Sequence, residues 1–147
     1  DNIKVSYGCE IANNMGAILQ CDAESASSNQ RILRTTKDYI NAGNKPDLVI
    51  IGWSTWEREE WWHDGHDFQV NASGIDDVPD ELQERYKQFI VDVDWHQCRQ
   101  RAHKEIWEFH KELDGLGIPH IFFNGNNDFS KITDQKDWGV SYIFNLI

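Results

Sequence analysis

Basic side chains, cysteine, proline and long apolar runs are all scarce in this sequence. Lys and Arg number 14 against 25 Asp and Glu, for a net charge of −11. So few basic residues assemble neither a phosphate-tracking stripe nor a basic helix face, and neither nucleic acid nor an anionic membrane is expected as partner. No apolar run approaches the ~20 residues of a membrane-spanning helix, and no signal-peptide pattern is visible. The 3 cysteines, Cys9, Cys21 and Cys98, are odd in number and fit no metal-ligand spacing. They are expected to be buried, reduced thiols, and the protein cytoplasmic. The 3 prolines fall at element boundaries: Pro46 in a turn, Pro79 in the first turn of a helix, Pro119 just past a helix end.

What remains is ordinary for one globular domain: 147 residues, 39% hydrophobic and 27% charged, enough to bury roughly two-thirds of the unfolded surface. The most informative stretch is residues 45–60, KPDLVIIGWSTWEREE. Its apolar run, Leu48-Val49-Ile50-Ile51, does not alternate and is bounded by Pro46 and Gly52, the pattern of a strand buried on both faces of a parallel sheet. In such sheets ligands bind beyond the carboxyl ends of the strands. Beyond this strand come Ser54, Thr55, Trp56 and Arg58, among Glu57, Glu59 and Glu60.

Read in order, residues 3–7 make a lead-in or edge strand, and residues 7–15 a short helix with Ile11, Ala12 and Met15 inward. Residues 17–21 (AILQC) are a candidate strand, followed by a small polar loop over 22–29. Ile32, Leu33, Thr36, Tyr39 and Ile40 form an amphipathic stripe, with Asn29 as the expected N-cap and Ser28 equally a cap or a substrate-side residue. Strand, helix and the strand at 47–52 would thus form one βαβ unit. Residues 63–78 lack a sustained period and read as a long excursion. A helix follows Pro79, with Leu82, Tyr86, Phe89, Ile90 and Val93 inward. Another, from about Asp94, buries Trp95, Cys98, Ala102, Ile106, Phe109 and Leu113. A third buried strand, residues 120–123, leads into Asn124-Gly125-Asn126-Asn127-Asp128, and the chain turns apolar again from Val140. Three polar loops would then open on one rim, making Ser28, Asn29, Thr55, Trp56, Arg58, Asn124 and Asn126 candidate substrate-binding residues.

Residues 23–32 (AESASSNQRI) and 46–55 (PDLVIIGWST) resemble the second and third blocks of the SGNH (GDSL-like) hydrolase superfamily, in the divergent form met in marine phages and environmental sequences. The resemblance covers roughly residues 7–58, with an echo at 118–124. It implies a three-layer α/β/α fold with a mostly parallel sheet, and hydrolysis of an acyl ester by a serine nucleophile without a cofactor. It also implies an oxyanion hole, with Ala26 at the second-block glycine and Ser54 at the third-block asparagine. The family's nucleophile motif has Gly8-Cys9-Glu10 as its nearest string, with Glu10 where serine belongs, and no histidine follows His120. The chain is therefore expected to be an internal part of such a hydrolase, without its first strand, last helix or a working serine–histidine pair. The substrate would be a small molecule or a glycan.

Two other readings stay open. The tryptophans between 53 and 62 either stack on a sugar, as in a non-enzymatic binding module, or form a satellite core. His63 and His66 offer metal ligands for a metal-dependent hydrolase, although no third anchored ligand is evident. His96, His103 and His110 recur every seven residues, ~10.5 Å apart along a helix, too far to share a metal, and are expected as a partly exposed stripe. Arg58 is expected either to clamp an anionic group or to pair with a neighbouring acid.

Overall fold

The computed structural model describes residues 6–72, 74–126 and 143–144. Element order is α1 (Tyr7–Met15), α2 (Asn29–Asn41), β1 (Val49–Trp53), β2 (Arg58–His63), β3 (His66–Asn71), α3 (Gln83–Asp92), α4 (Trp95–Gly115), β4 (His120–Asn124) and β5 (Ile143–Phe144). Short 3-10 turns at Ile75–Asp77 and Asp80–Leu82 lead into α3. The lead-in at residues 3–5, Asn127, Asp128 and the chain from 129 to 142 lie outside the described residues.

β1, β4 and β5 form a parallel sheet in that order, with Val49 opposite His120 and Trp53 opposite Asn124. The class is mixed α/β, as the apolar runs and helix-length connections imply. One sheet face holds the core. Val49, Ile51, Trp53 and Phe122 project into it and are covered by Ala102, Ile106, Phe109 and Leu113 of α4, with Ile32, Leu33 and Ile40 of α2 alongside. The Trp53 ring stands edge-on to Phe122 at 5.0 Å and to Phe109 at 6.5 Å. α4 starts where the sequence indicates, the Asp94 carboxylate accepting from the Gln97 amide at 3.1 Å as its cap.

Burial on β1 alternates, which corrects the expectation of a strand buried on both faces. α2 and α4 both cover one face. On the other, Tyr7 of α1 meets Phe123 edge-on at 5.7 Å, while Ile121 remains exposed. The strand expected at 17–21 is not formed: residues 17–20 are irregular and Ile18 is 99% exposed. A strand exists through its ladder, and β1 finds its partner in β4. Leu19 turns back towards Gly8 of α1, within ordinary contact distance of a Cβ there. Among the described residues no βαβ unit therefore precedes β1. Within α1, Ala12 is buried but Met15 is exposed, against the expectation that it faces inward.

The expected excursion over 63–78 is in part a hairpin. β2 and β3 pair antiparallel from Arg58↔Asn71 to His63↔His66. Asp64 (φ 47) and Gly65 (φ 85) both lie in the left-handed region that a type I′ turn requires. Trp61 and Val70, on one face of the hairpin, join Val78 and Tyr86 in a second core, with Phe68, Leu82, Phe89 and Ile90 packed around it.

Phe109→Ala is expected to cost about 3–5 kcal/mol in urea denaturation, as for a fully buried aromatic. Ile18→Ser should change stability by less than about 0.5 kcal/mol. A loss for Ile18→Ser comparable with that for Phe109→Ala would return residues 17–21 to the core.

Candidate functional site at the carboxyl rim of the sheet

At the carboxyl end of β1 the chain passes from the buried Trp53 to Ser54. Asn29, the first residue of α2, reaches it with both ends of its amide. Its Oδ1 accepts from the Ser54 amide at 2.8 Å, and its Nδ2 donates to the Ser54 carbonyl at 3.2 Å. Both residues are buried, so the pair satisfies two backbone groups that water does not reach. Asn29 is thus not the N-cap. That role falls to Ser28, whose Oγ accepts from the Arg31 amide at 3.2 Å. The Ser28 amide in turn donates to Gln69 Oε1 of β3 at 2.6 Å.

β4 reaches the same edge. The Gly125 amide donates to the Trp53 carbonyl at 2.9 Å, and a Cβ at Gly125 would stand 2.6 Å from that oxygen. Only glycine allows this approach. Asn124 therefore leaves the sheet beside Ser54. Ala26, exposed in the loop before α2, has φ 61, a conformation in which glycine is usual and alanine uncommon.

Arg58 Nη1 donates to Ser54 Oγ at 2.9 Å, which corrects the expected ion pair with a neighbouring acid. The acids nearby in sequence are engaged elsewhere, Glu59 because strand alternation turns it to the opposite face and Glu60 because Arg34 holds it. Glu60 takes a bidentate contact from Arg34 of α2 (2.9 and 2.6 Å), and Glu59 accepts from Arg101 of α4 at 2.8 Å and from Trp61 Nε1 at 3.0 Å. These acids are strand residues tied to helices, not a solvated loop. Hydrogen bonding to Glu60 stabilises the charged form of Arg34.

The rim residues divide in two. Ser28, Asn29 and Ser54 are buried and form its floor. Thr55, Trp56, Arg58 and Asn124 are half-buried, and Asn126 is exposed. Thr55 Oγ1 accepts from the Glu57 amide at 3.2 Å, and Trp56 packs against the main core with the Arg99 guanidinium 5.8 Å from its ring. A neighbouring cleft of about 530 Å³, lined by Glu24, Arg31, Arg34, Glu60, Asp67 and Gln69 among others, contains none of these rim side chains. Of the other tryptophans, Trp53 and Trp61 are core and Trp62 is exposed.

Serine catalysis needs a base that takes the hydroxyl proton. The partners found on Ser28 Oγ and Ser54 Oγ are N–H donors, a backbone amide and a guanidinium, and neither can take it. The histidines lie elsewhere. His63 and His66 face each other at the hairpin end, and His96 is exposed. Of the partly exposed stripe expected at His96, His103 and His110, His103 is the member that departs, buried at 3% exposure; its position on α4 adjoins the buried Ala102. His120 begins β4 at the opposite edge from the rim, as its place in the sequence implies, and lies against His110. The cysteines are free; Cys21 is exposed and Cys9 and Cys98 are half-buried, against the expectation of full burial. Burial raises the Cys98 pKa and so favours the thiol over the thiolate.

No protein-family model, curated protein or solved structure matches this chain. Among the residues that build the rim, Gln69 escapes a sequence reading because its role depends on the hairpin. The signal for the hairpin is Asp64-Gly65 between two runs with inward positions at Trp61, Phe68 and Val70.

Asn29→Ala orphans the Ser54 amide and carbonyl, at about 1–3 kcal/mol for each buried group left unsatisfied. Ser28→Ala removes one cap, worth about 1 kcal/mol. Chemical denaturation should therefore find Asn29→Ala the more damaging of the two; the reverse order would show that the amide clamp does not hold the rim. A separate effect arises on α4, where desolvation raises the Glu105 pKa. A carboxyl whose pKa is higher in the folded state favours folding below its unfolded value of 4.5 and loses that advantage as pH rises. Glu105→Gln is expected to raise the urea midpoint at neutral pH and to show little difference from wild type in strong acid.

Proposed function

We propose that this chain is the substrate-side part of an SGNH-type acyl hydrolase with a three-layer α/β/α fold. In this reading the carboxyl rim holds the acyl group of a small-molecule or glycan ester. The nucleophile and catalytic histidine come from outside these 147 residues. The observation that carries the reading is the meeting of the two family-like stretches: Asn29, beside Ala26 in its glycine-like conformation, is clamped to Ser54.

The Ala26 amide, in an exposed loop, serves as one oxyanion donor. Ser54 stands where the family has asparagine; its amide is committed to Asn29, while its hydroxyl, accepting from Arg58, keeps its own proton to donate. Arg58 adds a charge-assisted donor beside it, stronger than a neutral amide at a developing oxyanion. Ser28 and Asn29 position these groups from behind, and Thr55, Trp56, Asn124 and Asn126 contact the remainder of the substrate. A second reading, a non-enzymatic glycan-binding module, is favoured by the exposed Trp62.

Incubated with a fluorophosphonate probe, the chain is expected to give no adduct at Ser28 or Ser54 by mass spectrometry, and to hydrolyse p-nitrophenyl butyrate at the buffer rate. Butyrate, as the acyl product, should shift the amide resonances of Ala26, Thr55 and Arg58, and Arg58→Ala should abolish those shifts. Stoichiometric labelling lost on changing His63 or His66 would place the catalytic pair inside the chain and overturn the reading. Shifts confined to Trp56 and Trp62 on adding oligosaccharide, with none from butyrate, would favour the binding module.

A further inference from the structure

The opposite edge of the sheet holds a second cluster. His110 and Asp114 lie one turn apart near the end of α4, and the chain returns within a few residues to begin β4 at His120. The three side chains each offer a ligating atom within 4.8 Å of the other two. We propose that His110, Asp114 and His120 bind a divalent cation of the zinc class, fastening the end of α4 to the start of β4.

Proton placement points the same way. His120 Nδ1 lies 2.9 Å from the Ile118 carbonyl. A carbonyl only accepts, so Nδ1 carries the proton and Nε2 presents a lone pair to the cluster. That lone pair lies 2.6 Å from His110 Nδ1. On its other side, His110 Nε2 stands 3.4 Å from Asp114 Oδ2, again an acceptor. A neutral imidazole has one N–H for these two acceptors. A cation held by His120 Nε2 and one His110 nitrogen would take the Asp114 carboxylate, within 4.8 Å of both, as its third ligand.

Two imidazoles and one carboxylate with room for water match zinc's preference for nitrogen and oxygen ligands in a four-coordinate site. The Ile118 carbonyl behind His120 is the kind of outer partner that fixes the tautomer and orientation of a ligating histidine. Zinc–nitrogen bonds of about 2.0–2.1 Å require the ligands to draw together. Asp114, with 63% of its side chain exposed, has space to swing inward. The site adjoins the point where the Val49 amide donates to the Pro119 carbonyl at 2.9 Å, the first rung between β1 and β4. A metal there would brace the parallel pair from the edge opposite the rim, so its role is structural.

The full chain, stripped with a chelator, would be titrated with zinc in competition with a chromophoric indicator near neutral pH, and its thermal midpoint followed. One equivalent should bind and raise the midpoint. Asp114→Asn is expected to weaken binding roughly 10-fold or more, and His120→Gln to abolish both binding and the rise in midpoint. Because the Asp114 side chain is largely exposed, its substitution tests the site without depending on a core residue. The double variant His63→Ala, His66→Ala should bind as the parent does. No saturable binding, binding by Asp114→Asn and His120→Gln as tight as the parent's, or loss of binding in the His63/His66 variant would each overturn the proposal.

Discussion

The parallel pairing of β1 with β4 is the constraint on which the rest of the structure depends. Parallel neighbours cannot be joined by a tight turn, so the chain must travel back the length of the sheet before β4 can begin. The hairpin, α3 and α4 all lie within that return. α4 completes the crossover by laying Ala102, Ile106, Phe109 and Leu113 over the face that carries Val49, Ile51, Trp53 and Phe122. Trp53 sits at the centre of this contact, fully buried and edge-on to two phenylalanines. A cavity of indole size there would weaken the helix, both strands and the rim together.

The acidic balance of the chain gives its few basic groups a particular use. Neighbouring strand residues point to opposite faces, so Glu59 and Glu60 of β2 diverge, one to Arg101 of α4 and the other to Arg34 of α2. Lys37 of α2 pairs with Glu112 of α4 at 2.6 Å and lies over the Phe109 ring. These contacts carry the hairpin and the two helices as one assembly. Single exposed ion pairs contribute little, but the Glu60 side chain is only 8% exposed and accepts from Arg34 bidentately, a geometry that adds orientation as well as energy.

The two edges of the sheet thereby acquire different chemistry. At the carboxyl edge, backbone turns and amide side chains dominate: the Asn29 clamp, the close approach of Gly125 and the guanidinium of Arg58. At the amino edge, two imidazoles and a carboxylate converge through the short connection from α4 to β4. No helix among the described residues is long and apolar enough to cross a membrane, and both edges belong to a small mixed α/β body.

Much of this was legible in residue order alone. Periodicity of apolar positions marked α2, α3 and α4, because a helix face repeats wherever it packs. Pro46 and Gly52 bracketed β1, and the His120 run marked β4. Polar loops beyond these two strands placed Ser54 and Asn124 on one rim, since parallel strands share their carboxyl end. Other features were decided only by tertiary contact. Residues 17–21 have a strand's composition but no ladder, and a ladder is a property of the neighbour. Asn29 suits an N-cap by type, yet its amide is drawn to the Ser54 backbone, while the cap passes to Ser28. Arg58 stands among three acids in the sequence and meets a serine hydroxyl, because Arg101 and Arg34, on helices distant in the chain, take Glu59 and Glu60. His110 and His120 look unrelated in the sequence, one in a seven-residue series and one at a strand start. A helix end and a short loop bring their rings to 2.6 Å, because proximity across a crossover depends on where the chain turns rather than on the residues it carries.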